Sequence, residues 1–313
     1  MTEFPSPVLF AVPFFIITIL GEWWAVRTGR LNGHYGTKDA FASIAMGLGN
    51  VAINALTSAI GLAVFMYFSQ FSTFHLPPTW WTLALAFVLY DLVYYWKHRF
   101  AHRMRWFWME HVTHHSSEEY NLTTAVRQPW FGPLSGLTFL GIPLVLIGFD
   151  PLMVFFVAGL NLVYQYWIHT RVIDRMPAWF EAVMNTPSHH RVHHATNPKY
   201  LDMNYAGVFI IWDKMFGTFI EEDPDEEPVY GIVKPINSYN PIWIAYHEMI
   251  ALIRDCASDG FAPVCWFMRI IKPPGWSPDG QHSCSEDIRR EWLAQQAAAT
   301  ERSEKAPAYI RTG

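Results

Sequence analysis

Charge is scarce in this chain. Asp, Glu, Lys and Arg make up 16% of its 313 residues and apolar residues 51%, whereas ordinary soluble domains carry about 25% charge. So thin a polar complement argues against a wholly soluble protein. The formal net charge is -5, from 22 basic and 27 acidic residues; no basic footprint offers itself to nucleic acid, which excludes that class of partner. Cysteine is scarcer still. Cys256, Cys265 and Cys284 stand late in the chain without a Cys-x-x-Cys pair, which suits neither a disulfide framework nor a thiolate zinc site. What the chain has in abundance is aromatic residues (17%, with 15 Trp) and histidine: ten of the 14 histidines fall between His98 and His194.

Five apolar stretches approach the roughly 20 residues of a helical membrane crossing: residues 8–26, 41–68, 80–96, 133–147 and 151–168. The first reads as a retained anchor, since no basic segment precedes it and no small-residue cleavage site follows. The second is overlong, and Gly47, Gly49 and Gly61 permit either one tilted helix or a re-entrant hairpin. Loop charges arbitrate the sides. Arg27, Arg30 and Lys38 follow the first stretch; Lys97, Arg99, Arg103, Arg105 and Arg127 follow the third; Arg171, Arg175 and Arg191 follow the fifth. Five crossings put every basic loop, and every histidine cluster, on the cytoplasmic side. The acidic run 221–227 reads as a solvated linker, 241–253 as a helix lying on the membrane surface, and the Ala-rich, charged end as disordered.

The histidines are spaced for a shared purpose. His98 and His102 lie i, i+4; His111, His114 and His115 form H-x2-H-H; His189, His190, His193 and His194 contain a second H-x2-H-H; His169 stands alone at the end of the fifth stretch. Residues at i, i+3 and i+4 share one helix face, and neutral imidazole is a common metal ligand. Singly placed histidines such as His34, His75, His247 and His282 read as ordinary core or surface residues. Clusters of unpaired titratable rings beside an apolar domain are costly to hold, and that cost marks them as functional. Nine or ten candidates exceed the three or four protein ligands of one zinc-type site, which indicates two metals, but imidazole suits iron and zinc alike. Nearby carboxylates are candidates for orienting the rings or moving protons. They are Asp91, two turns before His98 in an apolar span; Glu110, Glu118 and Glu119 around the second box; and Asp202 after the third. The expected architecture is an all-α polytopic membrane bundle with a cytoplasmic helical cap carrying a histidine-rich dimetal site. It divides into anchor helices (1–96), a histidine-box catalytic region with two further spans (97–220), a cytoplasmic linker with helices (221–293) and a disordered tail (294–313).

These boxes in a chain with several spans resemble the fatty acid hydroxylase and sterol desaturase superfamily of membrane di-iron oxygenases. The longer runs HHSSEEYNLTTAVRQ (114–128), WIHT (167–170) and NTPSHHRVHHATNPKYLDMNYAGVFIIWDKMFGTF (185–219) resemble its alkylglycerol monooxygenase branch, although Arg103 stands where that branch carries Glu. The resemblance implies two iron ions, dioxygen, a lipid substrate and an external electron donor, tetrahydropterin or an electron-transfer partner. It carries a ligand role to His98, His102, His111, His114, His115, His169, His190, His193 and His194, and leaves His189 outside. Hydroxylation of a lipid C–H bond is the implied reaction; beside an ether oxygen the product is a hemiacetal, which falls apart to an aldehyde and glycerol. Tyr94, Tyr95, Trp96, Trp106, Trp108, Trp130 and Trp167 are candidates for an acyl channel or for an interfacial belt. Desaturation on the same ligands stays open at this level. A zinc hydrolase with Glu110 or Glu119 as base fits less well, because it has no use for ten histidines.

Overall fold

Long apolar runs bounded by polar caps set the first three helices. The computed structural model describes residues 4–305. Helix α1 (Pro7–Arg27) opens on a proline, which needs no intrahelical N–H partner at that position. Helix α2 (Thr37–Ser69) is one unbroken helix of 33 residues, about 50 Å long, so the hairpin alternative falls. Its Gly49 serves close packing instead: the indole of Trp130 lies where a Cβ would project, and the Trp130 Nε1–H donates to Met46 O at 3.0 Å. Helix α3 (Trp80–Arg103) starts from a Thr79/Thr82 capping box. Met104, in extended conformation, then turns the chain sharply into α4 (Arg105–His115).

The expected fourth span is not a span. Residues 132–146 form three short pieces, α6 (Gly132–Ser135), a 3-10 turn (Leu137–Gly141) and α7 (Ile142–Leu146), after the single-turn α5 (Leu122–Ala125). Gly136, at φ +84°, and Pro143 break the run. The arm still travels the length of the bundle: at its end Gly148 O accepts from Leu76 N at 2.9 Å, joining the loop between α2 and α3. Helix α8 (Pro151–Tyr166), capped by Asp150, then runs back alongside α1, with Thr18 meeting Tyr166 at 2.7 Å. Between these layers lies the main apolar core, with Phe65, Ala86, Leu144, Val145, Phe149, Met153 and Val157.

Helices α9 (Ala178–Glu181), α10 (Pro187–His193) and α11 (Ile211–Phe216) and the loops around them cover one end of the bundle. Helix α12 (Pro241–Ser258) lies on the start of α2 through Ile244 and Ala245, and α13 (Pro263–Ile271) and α14 (Ser285–Lys305) follow. Among the described residues there is no strand, only the bridges Met184–Phe209 and Ala195–Tyr230. Two expectations are corrected. The stretch expected to be disordered from 294 is helical to Lys305, its Ala- and Gln-rich sequence having high helix propensity; residues 306–313 lie outside the described residues. The acidic run 221–227 is no free linker, because Glu222 pairs with Arg191 at 2.6 Å and Asp223 and Glu227 pair with Lys199 and Arg171.

Two helices, α1 and α2, are long and apolar enough to cross a membrane by length and composition. Their large side chains face outward, including Phe10, Ile17, Leu48, Leu56 and Ile60, as a lipid-facing surface would require. Helix α8 has 16 residues, about 24 Å against a hydrocarbon core of roughly 30 Å. The Gly148 turn carries a sharp expectation. At φ +108°, with a would-be Cβ 2.7 Å from Phe74 O, Gly148→Ala should cost about 1–3 kcal/mol. Gly61→Ala, which meets Phe155 only at 3.7 Å, should leave the thermal midpoint unchanged or raise it. Equal midpoints for the two variants in detergent would contradict this account of the turn.

Candidate metal centre

Four segments bring the histidines together. The i, i+4 spacing on α3 turns His98 and His102 to one side, and the corner at Met104 folds α4 back so that His111, His114 and His115 face them. His169 follows α8 directly, and α10 with its final cap presents His190, His193 and His194. The result is two adjoining groups. His98, His102, His111, His115 and His193 form one, and His114, His169, His190 and His194 the other, with one ring nitrogen from every member of a group lying within 4.8 Å of the others. The His115 and His194 rings stack at 4.3 Å where the groups meet. All nine histidines given a ligand role by resemblance fall in these groups. His189 does not: its ring packs on Phe219.

The backing of each ring decides which nitrogen is free. His98 Nδ1 lies 2.7 Å from Tyr205 O, His114 Nδ1 3.2 Å from Arg127 O, His169 Nδ1 2.7 Å from Gln165 O and His193 Nδ1 3.0 Å from Met203 O. A carbonyl only accepts, so each Nδ1 carries the proton and each Nε2 keeps its lone pair. The Nε2 atoms of these and neighbouring rings converge: His98 to His111 is 2.8 Å, His111 to His115 3.0 Å, His114 to His169 3.1 Å and His169 to His190 3.0 Å. An imidazole nitrogen sits about 2.0–2.1 Å from zinc, which sets neighbouring ligands about 3 Å apart. In addition, His102, His193 and His194 bury Nε2 with no hydrogen-bond partner, a cost that a bound cation would remove. The residues present fit two metal ions.

Electrostatics agrees. Burial, reinforced by the neighbouring imidazoles, pushes His111, His115, His190, His193 and His194 well below the usual histidine range. Burial holds His114 at about 4. At neutral pH these rings are neutral and their lone pairs are available.

Of the carboxylates singled out from sequence, the three candidates for a catalytic role, Asp91, Glu110 and Glu119, touch no histidine of either group by hydrogen bond. Asp91 accepts from Asn161 Nδ2 (2.6 Å), Val208 N (2.8 Å), Phe209 N (2.9 Å) and Trp212 Nε1 (2.9 Å), so it locks α3 to α8 and to the segment before α11. Glu119 binds His34 at 2.6 Å. Glu110 lies beside Gly132, with one carboxylate oxygen buried and unpartnered; burial raises its carboxyl to about 7 against a hydrogen bond from Ser135. Asp202 does reach a ring, at 3.3 Å from His102 Nδ1, and also draws in Arg103 at 3.4 Å. Among the aromatics, Tyr94 packs at 5.4 Å from the His98 ring and Trp108 at 5.2 Å from His102. Trp106 and Trp130 bind backbone carbonyls of Ser135 and Met46 instead.

Sequence reasoning missed the cradle formed by residues 202–205. Asp202 and Asn204 adopt φ of +57° and +56°, an unusual conformation for residues other than glycine. It lines up the Asp202 carboxylate, Met203 O and Tyr205 O behind His102, His193 and His98. Asp213 fixes the turn by accepting from Tyr205 N (2.8 Å) and Ala206 N (2.7 Å). The run D-x-N-Y after the third box was the available signal, but its backbone role is invisible without coordinates.

Eight buried imidazoles and the half-buried His111 thus gather into two adjoining groups, each of a kind that could hold a metal ion. Residues 83–218 match the family model described as Fatty acid hydroxylase. It is 41% identical to the alkylglycerol monooxygenase of Homo sapiens over 89% of this chain and 62% of the relative. The alkylglycerol monooxygenase of Xenopus tropicalis is 37% identical over 88% and 61%, and that of Danio rerio 37% identical over 88% and 61%. The chain thus spans about six-tenths of the length of these relatives. No solved structure matches it.

The depressed histidines dictate a pH response. Unfolded histidine titrates near about 6.5, so below that pH the unfolded state binds protons that the folded groups refuse. Stability of the metal-free protein is therefore greatest above pH about 6.5, is lost as pH falls below that value, and levels off once pH reaches the folded values, about 4 for His114. Melting of apoprotein between pH 7.5 and 4.5 should show the midpoint falling on acidification. A midpoint flat across that range would refute neutral, buried rings.

Proposed function

We propose that this protein is a membrane di-iron monooxygenase that hydroxylates a C–H bond of a lipid, with an alkylglycerol ether lipid as the substrate class and fatty acyl or sterol lipids as the wider class. The observation that carries the proposal is the pair of adjoining histidine groups, with Nε2 lone pairs converging, inside the stretch that matches the Fatty acid hydroxylase model. His98, His102, His111, His115 and His193 would hold one iron, and His114, His169, His190 and His194 the other. Iron bound there would supply the redox chemistry that reduces dioxygen and cleaves an unactivated C–H bond. The protein's share is to fix the ring tautomers through the carbonyls of Tyr205, Met203, Arg127 and Gln165 and to keep bulk water out. In balance, the lipid, one O2, two electrons and two protons give the hydroxylated lipid and water. The electrons come from tetrahydropterin or another external donor. Hydroxylation of a carbon next to an ether oxygen yields a hemiacetal, whose collapse releases aldehyde and glycerol. The relatives that match over most of the chain are monooxygenases by name, which favours hydroxylation over desaturation.

We infer a multi-pass arrangement with the histidine end in the cytoplasm. Support comes from the outward apolar faces of α1 and α2, and from the Gly148 turn meeting the α2–α3 loop at the end of the bundle away from the histidines. In this arrangement the N-terminal helices anchor the chain, 97–220 forms the catalytic region with its cytoplasmic cap, and the helices after 221 complete that cap. Within the catalytic region, Glu110 is the carboxylate proposed to handle protons, since it alone among the three candidates keeps an unpartnered oxygen; Asp91 and Glu119 are proposed as supports.

Two experiments test this reading. Protein from iron-replete cells should carry two iron ions per chain and convert an alkylglycerol to glycerol and aldehyde with consumption of O2. His169→Ala should lose turnover and iron together; wild-type protein with zinc in place of iron and undiminished oxygenase activity would sink the proposal. Single cysteines placed near Arg105 and near Pro198 should react with an impermeant thiol reagent only from the cytoplasmic face. Labelling from outside would overturn the topology.

A further inference from the structure

Two carboxylates at the ends of apolar helices remain unexplained by the chemistry above. Glu22, near the end of α1, is buried and holds three groups from three segments. It accepts from the hydroxyls of Thr170 and Tyr35 and from Leu122 N–H at 2.8 Å. Thr170 directly follows His169. The Tyr120 hydroxyl adds a second tie to the same place by donating to Ile168 O at 3.0 Å. The carboxylate of α1 therefore fixes the chain on the C-terminal side of His169, while Gln165 O fixes the ring itself.

Asp39, in the first turn of α2, is equally buried. It accepts from Arg127 Nη1 at 3.0 Å and from Ser117 Oγ at 2.5 Å. Arg127 in turn donates through Nε to Thr113 O (3.2 Å) and Ser116 Oγ (3.1 Å), and its own carbonyl backs His114. A buried ion pair of this kind is costly to break from one side, and here it clamps both ends of the loop behind His114. His114 and His169 are members of the same four-histidine group. The five-histidine group has a different support, the 202–205 cradle fixed by Asp213.

We propose that Glu22 and Asp39 are positioning residues for the four-histidine group alone, so that the two apolar N-terminal helices are part of the metal scaffold and not only anchors. The inference rests on the two-metal reading of the site. Groups that orient ligands typically contribute 10–100-fold to metal affinity, and that loss is expected at one group only.

The test is metal stoichiometry on monodisperse, detergent-solubilised protein loaded anaerobically with ferrous iron and then washed, read by elemental analysis without any activity assay. Wild type should retain two iron ions per chain, and Glu22→Gln and Thr170→Val close to one; Thr170→Ser, which keeps the hydroxyl, should return to two. Identity of the lost ion follows from double variants. Adding His190→Ala to Glu22→Gln should change nothing further, whereas adding His193→Ala should remove the remaining iron. Asp39→Asn should behave like Glu22→Gln. Two ions retained by Glu22→Gln and Thr170→Val would overturn the proposal, as would parallel loss of both ions in Thr170→Val, the sign of a general folding role. Wild type that holds a single ion would instead refute the two-metal reading itself.

Discussion

Nine imidazoles gathered into two adjoining groups, eight of them buried, are the constraint to which the rest of this chain answers. His102, His193 and His194 give up hydration at Nε2 and gain no hydrogen bond there in return. Such an arrangement stands only if each ring is prevented from rotating toward a better partner. The carbonyls of Tyr205, Met203, Arg127 and Gln165 do that work on the outward side. They choose the tautomer as well as the angle, which is what a metal ligand requires.

The backing in turn needs backing. The cradle at 202–205 adopts positive φ at Asp202 and Asn204, a strained choice held by Asp213 and the Asn204 side chain, which bind backbone groups of His189, Tyr205, Ala206 and Ile220. On the other side, Arg127 and Asp39 form a buried pair with both partners almost fully shielded. A pair of this kind stabilises little relative to apolar residues of the same size, but removing either partner leaves an uncompensated buried charge and is strongly destabilising. Polar specificity is concentrated at one end of the bundle, and the apolar core around Leu144, Val145 and Met153 occupies the middle.

This division explains the sparse charge of the chain. Several of the charged residues that the chain does carry are paired around the centre: Arg191 with Glu222, Arg105 with Glu248 and Asp255, Arg127 with Asp39, and Arg103 with Asp202 and Glu286. The acidic segment 221–227, a linker by composition, is in fact the outer clasp of the third histidine box.

The sequence by itself determined the helical class, the apolar character of α1 and α2, and the clustering of the histidines. These are local properties: helix periodicity puts His98 with His102, and His111 with His114 and His115, whatever surrounds them. It also carried the count of rings that points to two ions. Tertiary structure decided which rings share a group, because His114 and His115, adjacent in sequence, turn to different groups while His169 joins His190 across 21 positions. It broke the apolar stretch 133–147 into turns, since hydropathy records transfer cost and not where Gly136 and Pro143 interrupt the helix. It also assigned Asp91 to bracing, paired Glu119 with His34, and brought Glu22 and Asp39 to the centre, each from contacts between residues distant in the chain. A single carboxylate in an apolar run announces that it has a partner; only the packed structure says which one.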